Sequence, residues 1–211
     1  MRSLSAFLFA CILALISFNI STDTNQDYKV VYTGDTKFNL RDVVWKIKSH
    51  TDNQTILLIS PEAVLSTYDN HLNLSDLKLN LKQSDNKIVS LISKKAVYKR
   101  KEDSLVSSKS SSFEIDNLLI ESDGFSLENL VNNIKLDFFK PKVFTKGGKP
   151  LELIGKANII EYQHSLNLLV FKGNAEFELD NFTLKAKEIY YDLKRKEIVK
   201  SVESKMTNKL K

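Results

Sequence analysis

The side chains able to do chemistry are few, and their spacing works against it. His50, His71 and His164 stand isolated in sequence, with no H-x-x-x-H or H-E-x-x-H interval to bring two imidazoles onto one metal. Ser126 lies in G-F-S-L-E, which lacks the second glycine of a nucleophile elbow. Glu176 and Glu178 are two residues apart, the interval of neighbours on one strand face, and read as a solvent-facing row, not an acid–base pair. Cys11 is the single cysteine, so the chain has no internal disulfide, and Phe9 is too large for a lipoprotein box around L-F-A-C. These residues predict a protein that is not an enzyme and that holds no cofactor and no metal.

A five-residue interval recurs along the chain: Ala63 to Tyr68, Ala157 to Tyr162 and Ala186 to Tyr191. Degenerate copies at Ala96 and Ser126 bring the anchor spacings to 33, 30, 31 and 29 residues. A period near 30 in β-type sequence implies stacked units, each burying its apolar face against its neighbours. The strand character comes from alternation. Phe177 and Leu179 fall on one face and Glu176, Glu178 and Asp180 on the other, while Leu166, Leu168 and Val170 form a similar row. Gly173-Asn174 tolerates positive φ and predicts a hairpin of Ser165 to Phe171 with Ala175 to Asp180. Leu77 to Leu81 alternates likewise and turns through residues 84–87 into Ile88 to Ile92. The tract Ser107 to Ser112 reads as a solvated loop or turn.

The N-terminus carries a second signal. Arg2 precedes the uncharged 17-residue stretch Leu4 to Ile20, which reads as an export signal. As a helix it would span about 26 Å, within the lower range of membrane-crossing segments. Asn19 is a poor residue for a signal peptidase at its −3 site, which favours retention as an anchor, with the N-terminus cytoplasmic and the β domain exported. The formal net charge is +5. Clusters at Lys94-Lys95, Lys99-Arg100-Lys101 and Lys194-Arg195-Lys196 suit lipid phosphates or, more simply, solvated turns. Nucleic acid is excluded as a partner by export and by the interleaving of basic residues with Asp and Glu.

Residues 153–192, with their strand, Gly173-Asn174-Ala175 turn, second strand and Ala186-x-x-x-x-Tyr191-Asp192 segment, resemble the OstA-like repeat of the LptC/LptA periplasmic lipopolysaccharide-transport family. The N-terminal anchor on a chain of this length points to the LptC kind. The resemblance implies an all-β, open, twisted β-jellyroll (a β-taco) of repeated antiparallel strands, preceded by one transmembrane or signal helix. The chain then divides into a signal anchor or signal peptide over 1–22, a juxtamembrane segment over 23–38, the β domain over 39–202 and a polar tail over 203–211. The resemblance also implies a protein that accepts lipopolysaccharide from an inner-membrane ABC transporter of the Lpt type. Lipid A acyl chains would run along an apolar groove, with Ile159, Leu166, Leu168, Val170, Phe177, Leu179 and Leu184 as the expected lining. The edge strand Glu197, Ile198, Val199, Lys200, Ser201 and Val202 would pair with an LptA-like bridge protein. The expected location is the inner membrane, single-pass, with the β domain in the periplasm, or the soluble periplasm if the leader is cleaved. Two alternatives remain at this stage: a soluble LptA-like bridge protein, and an envelope structural or carbohydrate-binding β solenoid. The alternating apolar face itself serves a closed core as well as a groove.

Overall fold

The computed structural model describes residues 26–32, 37–48, 55–82, 88–130, 134–146, 152–179 and 182–208. The expected signal anchor or signal peptide of residues 1–22 and the expected turn of residues 84–87 lie outside them. Among the described residues no helix is long and apolar enough to cross a membrane.

Strands β1 (Gln26–Tyr32), β2 (Lys37–Lys48), β3 (Thr55–Ser66), β4 (His71–Lys82) and β5 (Ile88–Lys99) form a meander in which each strand pairs antiparallel with the next. Four of them are 12 residues long, and their burial pattern slips by one at the middle. In β2 the buried positions run Leu40, then Val43, Trp45 and Ile47; in β4 they run Leu72, Leu74, then Leu77, Leu79 and Leu81. A flat strand keeps its apolar residues at strict alternation, so the slip marks a corner. Asp42 and Asp76 occupy the corners with φ of 52° and 48°, a left-handed conformation that short polar side chains tolerate. A corner breaks ladder hydrogen bonds, and buried serines pick up the freed carbonyls. Ser60 Oγ donates to Glu62 O and Ser75 O, each at 2.7 Å, and Ser107 Oγ donates to Lys95 O at 2.6 Å.

Beyond β5 the corner is wide enough that each long strand becomes two short ones. These are β6 (Ser104–Ser107) with β7 (Ser111–Ile115), β8 (Leu118–Ser122) with β9 (Gly124–Glu128), β10 (Lys135–Phe139) with β11 (Lys142–Thr145), and β12 (Glu152–Lys156) with β13 (Ile159–Gln163). Continuous strands return in β14 (Leu168–Leu179) and β15 (Phe182–Asp192), and the last level divides into β16 (Glu197–Val202) and β17 (Lys205–Asn208). Every level therefore has two arms. One set of arms makes a front wall, running through β6, β9, β10, β13 and β16; the other makes a back wall, running through β7, β8, β11, β12 and β17. The tract of residues 107–112 is thus a corner whose Ser107 and Ser111 are buried, while residues 108–110 are exposed. Gly124 is required beside it, because a side chain there would run into the Ser107 carbonyl.

The walls close on each other. Trp45 of the back wall meets Tyr98 of the front wall at 4.7 Å between ring centroids, and Phe113 of the back wall meets Phe138 and Tyr162 of the front wall at 4.9 and 5.3 Å. Aromatic pairs at such distances are worth about 0.5–1.5 kcal/mol each beyond the area they bury. The middle of the apolar face is therefore a packed core and not an open groove.

The structure departs from the sequence-based expectation at the Gly173-Asn174 turn and in the C-terminal tail. Gly173 and Asn174 do adopt positive φ, 69° and 48°, yet they form a bulge inside one continuous strand, since both halves of β14 pair with β15. The chain bends there and does not reverse, because Asn158 N–H bonds Gly173 O at 2.8 Å and holds the corner against the neighbouring level. At the C-terminus, residues 205–208 of the tail add a strand to β15.

Candidate functional site

The seven residues expected to line a groove do not share one face. Phe177 and Leu184 are cross-strand partners, buried on the inner face. Phe177 packs on Phe171 at 5.7 Å and on Tyr191 at 5.3 Å, joining the two walls at the C-terminal end of the core. Ile159, Leu168 and Val170 lie on the opposite, outer face, in register with Lys172, Asp192 and Tyr190. Leu166 belongs to neither, being 62% exposed on the 3-10 turn His164–Leu166. Leu179 pairs with Phe182. The misassignment has a physical cause: the run L-L-V-F at 168–171 is apolar on both faces, so alternation alone cannot tell which residues point inward. The inward pair is Leu169 and Phe171, opposite Tyr191 and Ile189.

Past Leu184 the interior opens. A solvent-open cleft of about 580 Å³ is lined by Leu184, Lys196, Glu197, Ile198, Ser201, Ser204 and Met206. Its floor continues the core, since Ile198 pairs with Tyr191 and Leu184 pairs with both Phe177 and Met206. Three of the strand residues expected at a partner edge, Glu197, Ile198 and Ser201, thus border the same cleft as the expected groove residue Leu184. The outer backbone edges of β16 and β17 carry no strand partner among the described residues, because both pair only with β15. Val199 is the extra residue of a bulge between the Tyr190–Lys200 and Tyr191–Ile198 pairs and is 44% exposed. This end of the ladder combines apolar surface with unsatisfied main-chain groups, the chemistry that accepts an acyl chain and an added strand.

A second hollow of about 310 Å³ lies at the front-wall rim against Lys135, Glu161, Tyr162, Gln163 and His164. His164 is buried, its Nδ1 at 2.8 Å from Tyr162 Oη. Glu161 is buried on the outer face and receives Lys172 Nζ at 2.6 Å and Gln163 Nε2 at 2.5 Å. Burial works to raise its pKa, but these hydrogen bonds prevail and hold it below the ordinary carboxylate value. Asp137, opposite Glu161 in register, is pushed up by burial despite Lys135 at 3.2 Å. The arrangement is an ion-paired strip sealing the buried Val170 on the outer face. Among the described residues no three His, Cys, Asp or Glu side chains converge to hold a metal.

The repeat anchors divide in the same way. Tyr162 is fully buried and Tyr191 half-buried in the core, whereas Tyr68 is 91% exposed at the β3–β4 turn, so the shared Ala-to-Tyr interval does not give a shared environment. Glu176 does face outward, with Lys156 at 2.8 Å and Lys185 at 2.6 Å, as its position on the strand predicts.

No family model matches the chain, and no curated protein matches it. Among solved structures it is similar to LptH of Pseudomonas aeruginosa, with a TM-score of 0.46 and 12% identity over 58% of this chain and 95% of that one. LptH is described as the LptA-homologous periplasmic component of the lipopolysaccharide transport device. A likeness at that score carries no functional weight. What stands on this chain's own residues is an all-β antiparallel ladder with a packed aromatic centre and an apolar cleft at its unpaired C-terminal end.

Proposed function

We propose that this chain is a lipid-handling bridge component of lipopolysaccharide transport, of the LptC kind. It is held at the inner membrane by Leu4 to Ile20 and receives lipopolysaccharide from an ABC transporter of the Lpt type. It presents the acyl chains at its C-terminal end to an LptA-like bridge protein. The observation that carries this reading is the coincidence, at one end of the ladder, of the cleft over Leu184 and Ile198 with the open edges of β16 and β17. A strand added to those edges roofs the cleft and extends its apolar floor into the next domain. The sequence resemblance of residues 153–192 supports the same reading.

The test is capture in cells with a photo-crosslinking residue. Placed at Leu184 or Ile198, it should trap lipopolysaccharide; placed at Leu168, on the outer face, it should not. Capture from Leu168 with none from Leu184 would overturn the assignment of the lipid path.

A further inference from the structure

The outer face of the back wall has a charge pattern that the lipid cleft does not use. One lateral row crosses it from strand to strand, following the register Val44, Ile59, Lys78, Ile92, Ser112 and Glu121, and continuing through Lys142 and Lys156 to Lys205. Its charged positions are Lys78, Lys142, Lys156, Lys185 and Lys205 against Glu121 and Glu176. The rows further from the corner add Lys46, Lys48 and Lys82, all exposed, against Glu114 and Glu178, so the bases stay in excess on this face. The front wall's outer face has no such excess, since Glu128, Asp137, Glu161, Glu188 and Asp192 are interleaved with its bases.

Lysines that guard a sheet against aggregation belong on edge strands. Most of these lie on strands paired on both sides, β4, β11, β12 and β15, so edge protection does not explain them. Two isoleucines stand among them. Ile88, opposite Lys82, is 64% exposed, and Ile92, opposite Lys78, is 46% exposed. Cations flanking protruding aliphatic side chains match a surface that is anionic at its headgroups and apolar just beneath. With neighbouring strands about 4.8 Å apart, a row crossing eleven levels makes a face roughly 50 Å wide, more extended than a single headgroup needs. The first described strand, β1, also begins on this wall, because Gln26 pairs with Trp45.

We propose that the outer face of the back wall docks on an anionic lipid bilayer, with Lys78, Lys82, Lys142 and Lys156 at the headgroups and Ile88 and Ile92 at the interface. The full chain, bound to vesicles, is labelled with an amine-reactive reagent and read by peptide mass spectrometry. On phosphatidylglycerol-containing vesicles Lys78, Lys82 and Lys142 should be labelled several-fold more slowly than on pure phosphatidylcholine vesicles, while Lys95 and Lys200 of the front wall label equally on both. The protection should vanish at about 1 M salt, where the screening length falls to about 3 Å. A Lys78→Glu/Lys82→Glu variant should lose the protection at Lys142, whereas Arg41→Glu/Lys95→Glu should keep it. Equal labelling of the two walls, or protection on neutral vesicles, overturns the proposal. Protection already present without vesicles assigns the face to a second copy of the chain or another protein, and overturns it too.

Discussion

Phe177 of the back wall stacks on Tyr191 of the front wall with ring centroids 5.3 Å apart and planes 26° from parallel, where the core gives way to the C-terminal cleft. The pair ties the arms of β14 and β15 across the corner, so it controls how the end of the ladder closes. Phe177→Ala should cost about 3–5 kcal/mol of unfolding free energy, the range for truncating a buried Phe. Leu166→Ala, on the exposed turn, should stay within about 0.5 kcal/mol. Urea denaturation of the two variants checks both values; equal losses would mean that Phe177 is not part of the core.

The corner between β8 and β9 has no room for a side chain at Gly124, whose Cβ position is taken by the backbone of Ser107. Gly124→Val must push two levels apart, at a cost of about 1–3 kcal/mol. The thermal midpoint should fall accordingly, and the amides of β6 and β9 should lose hydrogen-exchange protection first.

Opposite pH dependences are expected from Glu161 and Asp137. Glu161 has a folded-state pKa below its ordinary 4.5, so its stabilisation is present above that pH and is lost as pH falls through the folded value. Asp137 is raised above its ordinary 3.8, so its contribution is present below that pH and is lost as pH rises through the folded value. Glu161→Gln should therefore lower the thermal midpoint at pH 7 and approach the parent near pH 3. Asp137→Asn should raise the midpoint at pH 7 and converge with the parent in acid. Melting curves from pH 3 to 7 decide the signs.

Val199 occupies a bulge on the outermost strand, where proline is best tolerated by the chain's own sheet. Val199→Pro should leave the melting temperature nearly unchanged and weaken co-purification of a strand-adding partner by at least about tenfold. Unchanged partner affinity would replace backbone pairing with a side-chain interface.

Retention of Leu4 to Ile20 should leave the protein in the membrane pellet after carbonate washing, with Arg2 still present on N-terminal sequencing. Recovery of a soluble, shortened chain would move the proposed role from the LptC kind to the LptA kind.

Strand character was already legible in the order of the residues. Alternation such as Leu77, Leu79, Leu81 against Lys78, Asn80 and Lys82 leaves no other reading, and a strand over Glu197–Val202 was legible from the sequence, although β17 follows it. Gly173-Asn174 and the serine tract of residues 107–112 were visible as turn formers. That Ser107, Ser111, Gly173 and Asn174 make corners within levels follows from long-range pairing, because the same local geometry bends a strand or reverses it depending on what pairs beyond. Sidedness in L-L-V-F at 168–171 was likewise settled by register: Tyr191 and Ile189 select Leu169 and Phe171 for the core, leaving Val170 outside beneath an ion-paired cover. Nor could composition reveal that the excess of lysines gathers on one wall. Charge is summed along a chain, but a face collects residues from levels far apart in sequence, and the folded ladder is what brings Lys78, Lys142 and Lys185 into one row.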